Sequence, residues 1–336
     1  MRIISDLLML VMVVIASQVQ AAGQYSKLTE IKISGAGRFD YLTADGPGKR
    51  LYVSHGTEVV VIDTLTNTIA GVIADTQGVH GIAVAPELGK VYTSNGRANN
   101  VSIVDIKSLQ TLSMVATGEN PDAITYDQKH QQVWAFNNDG ESLTVIDAVN
   151  GKEITTTPLS GVAETGQADA SIARMFINIE DKDSVDVVDM KTYKVIANYK
   201  VAPATSPTGM AVDETTHHLF IGGGEALVMM DTRTGKLIDT VPICSGTDAT
   251  SFDAGTSTAF VSCRDGHIMI IAVNDDRLLV TQTLDTAVGS RTMTLDPLTH
   301  RIYTAAVDYL PADPTKPEAR PQAAPESMRV LVYAPD

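Results

Sequence analysis

Short apolar runs and short polar turns alternate along the chain. The runs are rich in Val, Ile, Thr and aromatic residues, and Asp, Gly, Asn and Pro separate them. This is the pattern of β-strands joined by tight turns. In one unit it predicts strands at Gly81–Ala85, Lys90–Ser94, Val101–Asp105 and about Leu109–Ala116. The runs do not show the 3.6-residue period of a helix, so the pattern predicts an all-β protein.

The strand pattern repeats with a period near 42 residues. A strand-like run ends in aspartate at five positions, each 42 residues after the last: Asp63, Asp105, Asp147, Asp189 and Asp231. One large aromatic residue also recurs inside an apolar run, at Tyr52, Tyr92, Trp134, Phe176, Phe220, Phe260 and Tyr303. These seven positions indicate seven repeats. Four strands in about 42 residues is typical of one blade of a β-propeller.

The two ends of the chain predict how the ring of blades closes. The last strand-like run, Val330–Tyr333, has no further strand to complete its unit, whereas Leu28–Ile33 is an extra strand before the first unit. We expect the N-terminal strand to complete the seventh blade, which leaves no open sheet edge between the first and last blades. The sequence therefore predicts a single seven-bladed β-propeller over residues 23–336, with four antiparallel strands in each blade.

The repeats resemble a known type of blade sequence. Leu51–Ser54 (LYVS) and Val91–Asn95 (VYTSN), each followed by a run that ends in Asp, look like the YVTN β-propeller repeat. The match recurs from Arg38 to Tyr333 and weakens in the last two units. With the export signal described next, the chain is similar to periplasmic propellers of the YncE type. The resemblance implies a seven-bladed single domain and supplies no catalytic residues.

The first residues indicate export. Arg2 precedes a ten-residue apolar stretch, Leu7–Ala16, and Val19–Ala21 offers the small residues that a signal peptidase recognises. Residues 1–22 are therefore predicted to be a signal peptide, and the mature protein is expected in the periplasm or outside the cell. An uncleaved anchor is the alternative, but the stretch is shorter than the roughly 20 residues that a membrane span needs. No transmembrane segment is expected after cleavage.

The charge of the chain restricts its partners. It has 25 Lys and Arg against 40 Asp and Glu, a formal charge of −15. Such a surface repels phosphate and no basic run is present, so no nucleic acid is expected to bind. The expected partner is a small polar ligand or a periplasmic protein, and the protein is expected to be a monomer.

Cys244 and Cys263 are candidates for a disulfide, because an exported protein meets an oxidising compartment. A bridge across this step would contribute about 3 kcal/mol by restricting the unfolded chain. Two separate thiols are the alternative.

The sequence gives no motif for a cofactor. The C-x-x-C-H motif of covalent haem is absent, and the single tryptophan, Trp134, disfavours a quinone site of the propeller type. No cofactor is expected.

The residues that enter the innermost strand of each blade are the candidates for chemistry, because this strand lines the central channel. Aligned by the small apolar residues that follow, they are Asp40, His80, Asp122, Asp169, Thr208, Asp248 and Arg291. The aspartates could simply accept backbone N–H bonds from a neighbouring blade. His80 and Arg291 interrupt the repeat and could orient a polar ligand. Mixed Asp and His could also hold a divalent ion, but the spacing resembles no compact metal motif, and no metal is assigned.

Two further features lie on the same face in this alignment. His55 ends the second strand of the first blade and is added to the candidate ligand-binding residues, although a lone turn histidine is more often solvated. The Pro-rich segment Asp308–Glu326 interrupts the last blade, and we expect it to lie over the channel mouth. It is interpreted as either a lid for a ligand or partner or a passive linker.

These observations favour a binding or scaffold module that acts through the channel mouth. Enzyme motifs such as G-x-S-x-G and H-E-x-x-H are absent from the sequence. The competing hypothesis is a lactonase-like hydrolase or a lyase that uses the mouth carboxylates, with His80 as acid and base and a divalent ion as an optional participant. No catalytic residue is assigned.

Overall fold

The computed structural model describes residues 23–35, 38–311 and 322–336. The predicted signal peptide lies outside these residues and stays a prediction. The described chain forms 28 strands and three short 3₁₀ turns, and none of its helices is long and apolar enough to cross a membrane. The 3₁₀ turns are Pro86–Leu88, Gly96–Ala98 and Glu180–Lys182.

The strands form seven antiparallel sheets of four, which confirms the predicted propeller. Blade 1 consists of β2 (Leu42–Asp45), β3 (Arg50–His55), β4 (Glu58–Asp63) and β5 (Thr68–Ile73). Blade 2 consists of β6 (Val79–Ala85), β7 (Lys90–Asn95), β8 (Asn100–Asp105) and β9 (Thr111–Ala116). Blade 3 consists of β10 (Pro121–Asp127), β11 (Gln132–Asn137), β12 (Ser142–Asp147) and β13 (Lys152–Pro158).

The remaining blades follow the same order from the inside of the ring outward. Blade 4 consists of β14 (Ala163–Asp169), β15 (Arg174–Ile179), β16 (Ser184–Asp189) and β17 (Lys194–Lys200). Blade 5 consists of β18 (Pro207–Asp213), β19 (His218–Gly223), β20 (Ala226–Asp231) and β21 (Leu237–Pro242). Blade 6 consists of β22 (Thr247–Asp253), β23 (Thr258–Cys263), β24 (His267–Asn274) and β25 (Arg277–Asp285). Blade 7 consists of β26 (Met293–Asp296), β27 (Arg301–Ala306), β28 (Arg329–Pro335) and β1 (Tyr25–Lys32).

The N-terminal strand closes the ring, as the chain ends predict. Strand β1 pairs antiparallel with β28, with Ile31 opposite Val330. The last blade therefore contains three strands from the C-terminal end of the chain and one from its beginning. Ile31 and Val330 pack in one buried cluster with Leu51 of blade 1. The closing strand thus also supports the contact between the last blade and the first.

The hydrophobic core lies between neighbouring blades. All seven repeated aromatic side chains are fully buried, and each occupies the third position of the second strand of its blade. Tyr52 packs with Ile82 of blade 2, and at the far end of the chain Tyr303 packs with Leu51 of blade 1. The other five occupy equivalent clusters with the following blade. One aromatic residue therefore fills each of the seven interfaces.

The repeated aspartates have a structural role on the opposite face from the mouth. Each ends the third strand of its blade and accepts hydrogen bonds from the backbone N–H groups two and three residues later, as Asp63 does from Leu65 and Thr66. Asp105, Asp147, Asp189 and Asp231 do the same. These are Asx turns, in which a side-chain oxygen replaces a backbone acceptor.

The closing strand gives the first testable prediction. Replacing Ile31 by Ala should destabilise the whole propeller by about 2–4 kcal/mol, because it leaves a cavity where the last blade meets the first. The neighbouring Lys32 is exposed, so Lys32→Ala is the matched control and should change the free energy of unfolding by less than about 0.5 kcal/mol. Chemical denaturation of both variants measures this. If the two variants unfold with the same free energy, the packing of Ile31 in the closing strand does not stabilise the propeller.

Candidate functional site

The seven innermost strands contact one another in a ring and begin at one face of the propeller. In blade 3, Pro121 at the start of the innermost strand pairs with Asn137 at the end of the second strand, so both connections open on this face. We call this opening the channel mouth. The polar residues at its seven strand entries are Asp40, His80, Asp122, Glu164, Thr208, Asp248 and Arg291.

The sequence alignment was wrong at one of the seven entries. Asp169 is the last residue of β14, not its entry, and lies at the opposite face of the ring. There its buried carboxylate accepts hydrogen bonds from Thr232 Oγ1 at 2.8 Å and from His217 Nδ1 at 2.9 Å, both in blade 5. Asp169 therefore joins two blades and is not part of the mouth. The entry residue is Glu164.

A signal for Glu164 was present in the sequence. Glu164 lies 42 residues after Asp122, the same step that separates the repeated aspartates. It was missed because β14 has the polar sequence AETGQAD, which does not look like a buried strand. The strand tolerates this composition because it faces the channel. Gly166 in β14 is also required sterically, since a Cβ there would lie 2.5 Å from the Phe136 ring.

Three mouth residues from consecutive blades converge. The Nδ1 atom of His80 lies 2.6 Å from Asp40 Oδ2 and 3.5 Å from Asp122 Oδ1. The ring nitrogen is the donor to Asp40, because a carboxylate only accepts. One potential ligand atom from each of these three residues lies within 4.8 Å of the others. We call Asp40, His80 and Asp122 the mouth triad.

Arg291 connects the mouth triad to the other side of the channel. Its guanidinium lies 3.3 Å from Asp40 Oδ1 and 3.4 Å from Asp248 Oδ2, and it stacks over the Phe39 ring at 5.9 Å. Arg264 approaches the second oxygen of Asp248 at 3.5 Å. Burial opposes the charged form of Arg291, but Asp248 and Asp40 outweigh it and raise the pKa of this group. Arg291 is therefore a permanent cation of the site.

Asp122 is largely buried and Asp248 is buried, and neighbouring cations compensate their charges only in part. Burial, followed by the charges of Asp40 and Asp248, raises the pKa of Asp122 well above its usual value. Burial also raises the pKa of Asp248, although Arg291 and Arg264 oppose the shift. Among the described residues, Asp122 Oδ1 and Asp248 Oδ2 have no hydrogen-bond partner and are inaccessible to solvent. Buried carboxylate oxygens of this kind favour a proton or an added cation.

Glu164 extends the acidic group toward blade 4. Its Oε2 atom accepts a hydrogen bond from Asn138 Nδ2 at 3.3 Å. Burial is the main reason that the pKa of Glu164 lies well above its usual value, and the charge of Asp122 adds to the shift. Tyr41 of blade 1 packs against the cluster formed by blades 3 and 4, and the pKa of its phenol is also raised by burial and by Glu164. The Tyr41 hydroxyl therefore stays neutral.

Below the mouth, the channel contains a cavity of about 330 Å³. Tyr41 and Asp248 border it, and inner-strand residues such as Ala123, Thr165 and Met210 line its wall. Asp248 is the only charged side chain among the described residues that line this cavity.

Serines on the second strands hold the mouth residues in place, a role that the sequence analysis missed. Ser54 Oγ accepts from the backbone N–H of Asp40 at 2.7 Å. Ser94 Oγ accepts from the backbone N–H of Gly81 at 2.9 Å and donates to the backbone carbonyl of Asp122 in the next blade. Ser262 donates in the same way to the carbonyl of Arg291. The sequence does contain a signal for this role, because a serine recurs one residue before the end of these second strands.

Other predicted site residues lie outside the mouth triad. Thr208 is at its expected strand entry, but its hydroxyl donates to the Thr247 carbonyl of the next blade at 2.9 Å. His55 ends β3 as expected, but its side chain is buried rather than solvated, with Nδ1 3.1 Å from Glu58 Oε1. Among the described residues, no hydrogen bond joins His55 to the mouth triad.

Cys244 and Cys263 form a disulfide in the structure, with Cα atoms 5.9 Å apart. The bridge joins the segment before β22 to the end of β23, next to Arg264.

The Pro-rich segment is described only at its two ends. Tyr309 at its beginning packs over Gly289, where a Cβ would lie 2.6 Å from the tyrosine ring. Its role as lid or linker stays a prediction.

Comparisons with known proteins support the class of fold. No family model and no curated protein matched the chain. Among solved structures, the chain is similar to "Kuenenia stuttgartiensis Hydrazine Synthase", with a TM-score of 0.71 and 15% sequence identity over 88% of this chain and 97% of that chain. At this identity the likeness shows the fold alone. The protein is a seven-bladed β-propeller, a fold that carries both binding and enzymatic functions.

Burial of Glu164 predicts a gain in stability when its charge is removed. A raised folded-state pKa means that ionisation costs stability as pH rises above the ordinary glutamate value. Glu164→Gln should therefore raise the free energy of unfolding at pH 8, and with it the midpoint of thermal unfolding. The gain should disappear near pH 3, below the ordinary pKa of glutamate, where unfolded and folded states both hold the proton.

The matched control is Glu30→Gln, because Glu30 is exposed and its hydrogen bond and ion pair with Lys27 lower its pKa. A lowered pKa stabilises the fold above the ordinary value and not below it, so this variant should lose stability at pH 8 or stay unchanged. Thermal unfolding at both pH values compares the two. A loss of stability in Glu164→Gln at pH 8 would contradict the buried charge.

Proposed function

We propose that this propeller is an exported binding module that holds a small polar ligand, through a cationic group, at the channel mouth. The YVTN-like repeats and the predicted signal peptide support assignment to the periplasmic YncE-type propellers. Location and family are part of the proposal. A periplasmic protein that presents such a group to the same face is the other form of partner.

The excess of negative charge at the mouth carries the proposal. Four carboxyl groups, Asp40, Asp122, Glu164 and Asp248, share the site with Arg291 and His80. Arg291 already pairs with Asp40 and Asp248. Among the described residues, this leaves Asp122 and Glu164 with no basic partner except His80, which approaches Asp122 at 3.5 Å. A ligand cation would supply the missing positive charge and permit both groups to ionise.

The shape of the site limits the ligand. The Asp40, His80 and Asp122 side chains are 20%, 29% and 15% exposed, so a ligand can reach them from the solvent. Tyr41 borders the channel beneath and presents an aromatic surface next to the carboxylates. Aromatic faces and carboxylates together favour organic ammonium groups. A compact amine therefore fits the mouth better than a carboxylate or phosphate does.

Binding can be tested with simple probes. Isothermal titration with putrescine and choline, with citrate as the anionic control, should show saturable binding of a cationic probe that weakens as salt increases. Glu164→Gln should reduce this affinity about tenfold, the effect of losing about 1.4 kcal/mol of attraction. Glu30→Gln should bind as the wild type does. Failure of both cationic probes to bind, or equal affinity in Glu164→Gln, would contradict the proposal.

A hydrolase is the second candidate, and the short Asp40–His80 contact is the observation that favours it. A carboxylate at 2.6 Å orients the imidazole and would stabilise its protonated form during proton transfer. Arg291, which also contacts Asp40, could stabilise an oxyanion on a lactone or ester. This arrangement would support acid–base hydrolysis without a covalent intermediate.

Turnover decides between the candidates. If the hydrolase candidate is right, small lactones and p-nitrophenyl acetate should be hydrolysed above the buffer rate, and His80→Ala should reduce kcat/KM about 10²-fold or more. The exposed His267 also pairs with an aspartate, at 2.9 Å, so His267→Ala is the control and should keep the rate. Hydrolysis at the buffer rate, or equal rates in both variants, would reject this candidate.

A further inference from the structure

We propose that the mouth triad of Asp40, His80 and Asp122 binds one divalent transition-metal ion, such as Zn²⁺ or Mn²⁺. The inference deepens the proposed function, because it assigns a specific cation to the same mouth. It differs in the residues it depends on: the metal requires His80, whereas the binding of an organic cation depends on Glu164.

The distances within the triad suit a common ion. Ligand atoms that each lie about 2.0–2.2 Å from one ion are about 3–3.5 Å apart in tetrahedral or octahedral geometry. Here His80 Nδ1 is 2.6 Å from Asp40 Oδ2 and 3.5 Å from Asp122 Oδ1. An ion would replace the proton shared between His80 and Asp40, and that proton would pass to the solvent. The ligand atoms of the three side chains lie within 4.8 Å of one another, so side-chain adjustment would bring them to a common ion.

The backbone beneath the triad is held in place. Ser54 accepts from the backbone N–H of Asp40, and Ser94 donates to the carbonyl of Asp122 while accepting from the N–H that follows His80. The three ligands lie on three adjacent blades whose interfaces are filled by buried aromatic side chains. A preorganised backbone of this kind reduces the cost of ordering the ligands around an ion.

Unpartnered carboxylate oxygens independently indicate a missing cation. Asp122 Oδ1, the oxygen that faces His80, is inaccessible and has no hydrogen-bond partner among the described residues. Across the mouth, Asp248 already faces two cations, Arg291 at 3.4 Å and Arg264 at 3.5 Å. Asp40 and Asp122 of the triad are therefore the carboxylates with less compensation, since only Arg291 and His80 approach them. A divalent ion at the triad would correct the imbalance.

The composition of the triad selects the class of ion. Two carboxylates and one imidazole suit Zn²⁺, Mn²⁺ and related ions, whereas Ca²⁺ and Mg²⁺ prefer oxygen ligands alone. Arg291 binds Asp40 Oδ1 and leaves Oδ2 for the metal, so it would act as a second-layer partner that orients the ligand. Three protein ligands leave coordination positions open to the mouth. A polar ligand could occupy them.

Titration with the metals alone tests the inference. Untagged mature protein, stripped with chelator and dialysed, should bind one equivalent of Zn²⁺ or Mn²⁺ by isothermal titration at pH 7.5, and CaCl₂ should bind at least tenfold more weakly. His80→Ala and the more conservative His80→Gln should each weaken Zn²⁺ binding at least tenfold. His267→Ala removes an exposed histidine that also pairs with aspartate on the same face, and it should bind Zn²⁺ as the wild type does.

A spectroscopic readout keeps the result specific. Co²⁺ bound at the triad should give visible d–d absorption that is lost in Asp122→Asn, while circular dichroism confirms that each variant is folded. Absence of stoichiometric Zn²⁺ and Mn²⁺ binding, or unchanged affinity in both His80 variants, would overturn the metal site. Binding of putrescine or choline by a protein that binds no metal would overturn this inference alone and leave the proposed function standing.

Discussion

Burial of one large aromatic side chain between each blade and the next is the interaction on which the rest of the structure depends. A four-stranded sheet cannot bury its two faces alone, so each blade is stable only against its neighbours. Trp134, for example, is fully buried with Met175 and Ile177 of blade 4. Because the contacts run from blade to blade, the ring is complete only when the seventh interface also forms. Strand β1 makes this possible by completing the last blade.

Ring closure is also what brings the mouth residues together. Asp40 and Arg291 are 251 positions apart in sequence, and their side chains meet at 3.3 Å only because the last blade lies beside the first. Placing several carboxylates side by side raises their electrostatic repulsion, and the rigid blades hold them in place against it. A less constrained loop would relieve the repulsion between Asp122 and its neighbours by moving apart, whereas the strand entries are tied by serine and backbone hydrogen bonds. The site is therefore electrostatically unfavourable by construction, which is typical of functional sites.

The two faces of the ring use the same residue types for different purposes. On the face opposite the mouth, Asp169 is surrounded by donors from blade 5 and from its own turn, and its pKa is lowered despite burial because His217, Ser171 and Thr232 donate to it. At the mouth, Asp122 has a buried oxygen that finds no donor in the part of the chain that the structure describes, and burial raises its pKa. A satisfied carboxylate joins blades, and an unsatisfied one is available to a ligand. Sequence pattern alone does not separate the two.

The sequence by itself determined the number of blades, the strand order and the closure, because these follow from local periodicity and from the buried aromatic residue that every blade repeats. It also located His80, Arg291 and the ends of the second strands, where His55 and Cys263 lie. It misplaced the entry of blade 4, since the channel-facing strand that carries Glu164 lacks the apolar pattern of a buried strand. Only the tertiary structure decided which polar residues meet, whether His55 is buried, and which carboxylates lack partners. These properties depend on contacts between side chains of blades that are remote in sequence. Such contacts produce no repeating pattern of residues, so they cannot be read from the periodicity of the chain.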